Sequence, residues 1–136
     1  MGTHPVFTPQ EFAGRLRRTR DALAARGVAA GVFDECEAMS WLTGYGNSEN
    51  RWRCVVVPVE GEPFIVIRAL DATPCRDRSA VGEIGTFLDW QSPEPVLAGM
   101  LAERGLDAAT IGFDYGSTSF TAKRFLQCQT ALNIDP

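Results

Sequence analysis

The stretch RCVVVPVEGEPFIVI, from Arg53 to Ile67, decides the fold class. Two β-prone runs, Cys54–Val57 and Phe64–Ile67, are separated by Pro58 and by turn formers around Gly61. Branched and aromatic side chains suit a pleated strand, whereas proline and glycine interrupt it and turn the chain. The spacing predicts a β-hairpin in the middle of the chain.

Upstream, Thr8, Pro9 and Glu11 fit an N-cap, a first-turn proline and the third-position partner of a capping box. An amphipathic helix is expected to follow, with Phe12, Leu16 and Leu23 on its apolar side. Arg15, Arg18 and Asp21 supply its polar faces, and Gly27 offers its C-cap. Val28–Phe33 reads as a strand, after which Asp34 is expected to cap a short helix carrying Met39, Trp41 and Leu42. The segment Gly44–Asn50 is rich in turn formers.

Downstream of the hairpin, Ala69–Ser79 reads as a short helix or loop around Pro74, and Glu83–Trp90 as a strand. Ser92 is expected to cap a helix from Pro93 to Arg104 that Gly105 closes. A strand at Thr110–Tyr115 then leads to a last helix through Phe125 and Leu126. Helices and strands alternate around one hairpin, which describes a mixed sheet covered by helices, an α/β layered domain. With 136 residues, 45% of them hydrophobic, the chain is long enough for one core, and residues 1–136 are read as one domain.

Composition narrows the function. A net charge of -4 with both signs scattered provides no basic stripe for phosphates, so nucleic acid is not an expected partner. No apolar run approaches a bilayer's thickness and the start lacks the blocks of a signal peptide; no membrane partner is expected, and the expected location is cytoplasmic. Cys36, Cys54, Cys75 and Cys128 are widely spaced, without a CxxC pair or a nearby histidine, and read as reduced, mostly buried thiols. The one histidine, His4, stands at the amino terminus, which leaves metal hydrolysis and triad chemistry without their usual ligand or base. No catalytic residue and no metal ligand is assigned in this chain.

Three segments invite a chemical reading. Asp34, Glu35 and Glu37 are an acidic cluster suited to a hard cation, but the same residues at a helix start meet its dipole and cap it, and capping is the preferred reading. Asp114, Gly116 and Thr118 match the phosphate-binding DxGxT turn of the actin and sugar-kinase superfamily. That turn joins two strands near the chain start, whereas here a helix follows near the carboxyl end. A structural account is preferred, with Gly116 permitting a turn and Ser117, Thr118 or Ser119 capping the helix. Arg51, Trp52 and Arg53 set two guanidinium groups beside an aromatic, an arrangement suited to bidentate carboxylate recognition. The competing reading sends Trp52 into the core and leaves both arginines on the solvent side of an edge strand.

From Phe12 to Arg68 the order of features resembles the amino-terminal domain of the creatinase/prolidase family. The resemblance is carried by RLRRTRDALAARGVAAGVF, then AMSWLTGYG, then RCVVVPVEGEPFIVI, and continues more weakly to Leu132. Its most specific piece, Trp41-Leu-Thr-Gly-Tyr45, is similar to the family's YLTGF turn. The resemblance implies a ribonuclease H-like α/β fold, with a mixed β-sheet layered by helices. It also implies a carboxyl-terminal pita-bread domain, outside this chain, that binds two divalent metals (manganese, cobalt or zinc) through two Asp, one His and two Glu.

On that resemblance the chain is expected to be a non-catalytic accessory domain, ending near the family's domain junction at Asn133–Pro136. Its expected partners are its own catalytic domain, a second copy in a homodimer, and a small peptide or amide substrate of the parent hydrolase. The family's loop after the LTG turn reaches a neighbouring subunit's active site, and the matching loop is Tyr45–Arg53. Arg51, Trp52, Arg53 and Tyr45 are therefore the candidate substrate-binding residues. Two other readings stand beside this one: a stand-alone binding module of the same fold, and a nucleotide-binding domain using Asp114–Thr118.

Overall fold

The computed structural model describes residues 7–46 and 51–134. Helix α1 spans Pro9–Ala25, and Thr8 caps it by accepting the Glu11 N–H. The reciprocal half of the capping box is replaced, because the Glu11 carboxylate pairs with Arg15 at 3.0 Å and with Arg18. Arg15, expected on a polar face, is buried: its guanidinium lies 4.0 Å from the Phe7 ring centre and donates to the Trp41 carbonyl at 2.9 Å. Its stem fills apolar space while its charged end meets an aromatic face and a carbonyl, which fastens α1 to the next helix.

Strand β1 (Ala30–Phe33) follows, then α2 (Cys36–Thr43), ended by Gly44 in the left-handed conformation at φ +82°. The expected hairpin is β2 (Cys54–Pro58) and β3 (Phe64–Arg68), paired antiparallel, with Gly61 at φ +102° in its turn. A 3-10 turn (Ala69–Asp71) and α3 (Ala72–Arg78) lead to β4 (Glu83–Phe87). Helix α4 (Glu94–Glu103), β5 (Ile111–Phe113) and α5 (Ala122–Ala131) complete the order.

Two boundaries differ from expectation. β4 stops at Phe87, because Leu88 and Gln91 bond to each other in a turn that leaves Trp90 81% exposed. Pro93, not Ser92, precedes α4 and makes no side-chain cap bond.

The five strands form one sheet in the order β4-β3-β2-β1-β5, with β1–β2 and β2–β3 antiparallel and the outer pairs parallel. This is the expected mixed sheet. Val56, Phe64 and Val66 face Leu97, Leu101 and Cys128 of α4 and α5 on one side. Val55, Val57, Ile65 and Ile67 face Leu23, Met39, Leu42 and Cys75 of α1 to α3 on the other. A three-layer α/β/α domain results, and β2 is buried on both faces, which is why its sequence is an unbroken apolar run. Gly31 leaves room for the side chain of Leu23 from α1: a Cβ there would stand 2.8 Å from Leu23 Cδ2, so a larger residue would have to displace it.

Candidate functional site

Because β1 runs antiparallel to β2 and parallel to β5, three segments meet at one end of the sheet. They are the residues after β1, the lead-in to β2, and the turn after β5. Asp34 is their meeting point. It is 2% exposed and accepts the Trp52 indole N–H at 2.7 Å and the Ser117 hydroxyl. A buried carboxylate stays only where donors surround it, so Asp34 does not cap α2 as expected. Glu35 takes the N-cap position, without a side-chain cap bond.

Glu35 reaches the same turn instead, where its carboxylate accepts the Thr118 N–H and, at 2.9 Å, the Thr118 hydroxyl. The backbone hydrogen bond from Thr118, reinforced by its hydroxyl, holds the Glu35 carboxyl below the usual range. Asp114 accepts the Gly116 N–H at 2.9 Å, closing the turn locally. Thr121, rather than Ser117, Thr118 or Ser119, caps α5, because Ser117 and Thr118 are occupied by the two acidic residues. A phosphate at the Asp114–Thr118 turn would meet the Glu35 carboxylate on the same donors. Among the described residues no three His, Cys, Asp or Glu converge as a metal site.

The four candidate substrate residues are placed very differently. Arg51 is half-buried, donates to the Gln91 carbonyl at 3.2 Å, and lines a polar cleft of about 340 Å³ with Trp52, Lys123, Arg124 and Gln127. The Arg124 guanidinium lies 5.0 Å over the Trp52 ring and pairs with Glu94, itself 2% exposed. Glu94 offsets Arg124, which leaves Arg51 and Lys123 as the cations facing this cleft. A small anion or carboxylate suits such a surface.

Trp52 is buried in the core beneath that cleft, as strand alternation predicts. Arg53 is a correction to the edge-strand reading: β2 is the central strand, and Arg53 is 4% exposed. Its Nη2 donates to the Cys36 sulfur at 2.6 Å, and its Nε has no partner. Tyr45 is packed against the second core, and burial, then the Asp71 charge, pushes its phenol up. The rest of the expected loop, 47–50, lies outside the described residues, as does His4.

The structure thus brings Arg51, Trp52 and Arg53 to one end of the sheet but exposes only Arg51 to a ligand. Sequence reasoning missed the Glu94–Arg124 pair and the Cys36–Arg53 contact. An acidic residue between two prolines, Pro93-Glu-Pro95, was the available signal for the first; none marked the second.

Residues 15–135 match the family described as the creatinase/prolidase N-terminal domain. The chain is 32% identical over 132 residues to ectoine hydrolase of Halomonas elongata, covering 90% of this chain and 33% of that protein. Its fold is similar to the N-terminal domain of Xaa-Pro dipeptidase from Lactobacillus brevis, at 18% identity and a TM-score of 0.75 over 86% of this chain and 87% of that one. It is similar too to dipeptidase PepE from Mycobacterium ulcerans, at 24% identity and a TM-score of 0.73, covering 96% of this chain and 34% of that chain. The chain spans about a third of the length of ectoine hydrolase and of PepE. Two-faced burial of β2, the strand order and these matches agree, and the chain belongs to the creatinase/prolidase amino-terminal domain family.

Proposed function

We propose that this chain is the non-catalytic amino-terminal domain of a larger metal-dependent hydrolase, acting on a Xaa-Pro peptide bond or a small amide or amidino compound. One observation carries the reading: nearly all of this chain matches only a third of ectoine hydrolase and of PepE. The hydrolytic machinery, with two divalent metals (manganese, cobalt or zinc), then belongs to a carboxyl-terminal domain. Here the described residues hold no cluster suited to a metal. No helix among them is long and apolar enough to cross a membrane, and a relative of the same fold from Mycobacterium tuberculosis is described as a cytoplasmic peptidase.

Within that protein the domain shapes the substrate site and contributes to a homodimer. Arg51 is the residue that contacts a substrate carboxylate, because it alone of the four candidates has accessible charge. Trp52 and Arg53 support it from below, and Tyr45 anchors the start of the loop in the core. The test is hydrolysis of Xaa-Pro dipeptides, creatine and ectoine with each metal, by this chain and by a polypeptide joining it to the catalytic domain. Activity confined to the longer polypeptide is expected. Activity of this chain alone, or none in either, overturns the reading, and sedimentation of the longer polypeptide as a monomer removes the dimer.

A further inference from the structure

Strands β1, β3, β4 and β5 run in one direction and β2 in the other, so four strands end, and β2 begins, at the same end of the sheet. Leu70, Leu88, Trp90 and Tyr115 lie on the segments that follow β3, β4 and β5 at this end, and all four are exposed. Trp90 is the most open of them, and Leu70 and Tyr115 are 70% and 71% exposed. An indole left in water forgoes the free energy of burial, and several large apolar side chains exposed together mark a contact surface.

Trp90 is held in place rather than loose. Its turn is closed by Leu88 and Gln91, the Gln91 N–H donating to the Leu88 carbonyl and the Leu88 N–H to Gln91 Oε1, both at 2.8 Å. Arg68, at the end of β3, pairs with Asp71 at 2.6 Å and reaches Asp89 at 3.9 Å, which ties the segment bearing Leu70 to the turn bearing Trp90. Arg51 donates to the Gln91 carbonyl, so the same turn adjoins the residue that meets the substrate carboxylate. A tryptophan fixed in advance loses little conformational freedom on contact, which suits it to anchor an interface.

Scale decides the kind of occupant. From β4 to β5 the sheet is about 19 Å wide, and the exposed apolar groups stand on both sides of its central strand. A substrate-sized molecule covers only part of that width, whereas a protein surface covers it all. Helix α5 starts at this end, where Arg124 covers Trp52, and its 10 residues carry the chain about 15 Å back along the sheet. The catalytic domain invoked above is thus joined at the opposite end, which leaves this end to a second subunit.

We propose that the Leu88–Gln91 turn, carrying Trp90, docks together with Leu70 on the second copy in the homodimer and seats Arg51 at the joint. The inference rests on the reading of this chain as part of a dimeric hydrolase, and adds which surface makes the dimer.

The experiment is sedimentation equilibrium of the longer polypeptide, unaltered and with Trp90→Ser, Leu70→Ser or Leu126→Ser. Trp90→Ser is expected to raise the dimer Kd at least about thirtyfold and Leu70→Ser about tenfold. Leu126→Ser, on the equally open outer side of α5, is expected to leave it unchanged. An unchanged Kd for Trp90→Ser, or equal weakening by Leu126→Ser, overturns the inference while the hydrolase reading stands on its own activity test. A lower melting temperature for Trp90→Ser in a dimer of unchanged Kd assigns the turn to the subunit's own catalytic domain, and overturns it too. An unaltered polypeptide that is monomeric overturns both this surface and the dimer, and its hydrolysis of substrate still decides the rest of the reading.

Discussion

The body of β2 and the three residues that lead into it are neighbours in sequence, yet they are held by different forces. Cys54–Pro58 is buried throughout, and from Cys54 to Val57 the side chains enter one core and the other in alternation. Arg51, Trp52 and Arg53 carry polar atoms to the same end of the sheet, where Trp52 is met by Asp34 and Arg53 by Cys36. Apolar burial is non-directional and tolerates many neighbours, whereas a buried N–H accepts few geometries. The strand body therefore sets the fold, and its lead-in selects which loops converge on it.

Breaking the apolar side of that comparison gives the largest expected effect. Phe64→Ala on β3 removes a fully buried ring and is expected to lower stability by about 3–5 kcal/mol, read as a lower urea midpoint. Asp34→Ala breaks the polar side by leaving the Trp52 and Ser117 donors buried without their acceptor. About 2–3 kcal/mol is expected in the same assay, and Asp34→Asn, which keeps one acceptor oxygen, is expected to recover part of it. Equal losses for Asp34→Ala and Asp34→Asn would show that hydrogen bonding to this residue does not matter.

Glu35 sharpens the comparison through pH. Its carboxyl is held below its ordinary value of 4.5, chiefly by the Thr118 N–H. The folded state thus favours the ionised form. The stability it contributes is complete above pH 4.5 and is lost as pH falls through the lower folded-state value. Melting temperatures measured from pH 6 to 3 are expected to fall more steeply for the unaltered protein than for Glu35→Gln; parallel curves would contradict this.

Arg51→Ala carries the smallest effect on stability, within about 0.5 kcal/mol, because the side chain is part-exposed and, among the described residues, bonds to an exposed backbone carbonyl. Its effect belongs to the longer polypeptide, where KM for a carboxylate-bearing substrate is expected to rise about tenfold with kcat little changed. An unchanged KM would remove Arg51 from the substrate site.

Much of the fold was legible because its signals are local. Thr8 and Gly27 bound α1, Gly105 ends α4, and the two apolar runs around Gly61 are the hairpin. The site was less legible. Arg51, Trp52 and Arg53 stood out as a group, but an edge strand and a central strand read alike until the neighbours are known. Asp34, Ser92 and Ser117 each suit a cap, and none of the three serves as one. A short polar side chain bonds the local backbone only where no buried donor or acceptor from another element competes for it.

The sequence by itself determined the class of fold, the order of its elements and the family, because strand runs, helix stops and the LTG turn act over a few residues. Only the tertiary structure decided that Arg53 faces a thiol, that Asp34 joins three segments, and that Arg51 keeps an open face. Those outcomes depend on pairings up to 83 residues apart, such as Ser117 with Asp34, and on which face of a central strand each side chain meets. No local propensity encodes them; they follow from the requirement that buried polar groups find partners once the sheet has closed over them.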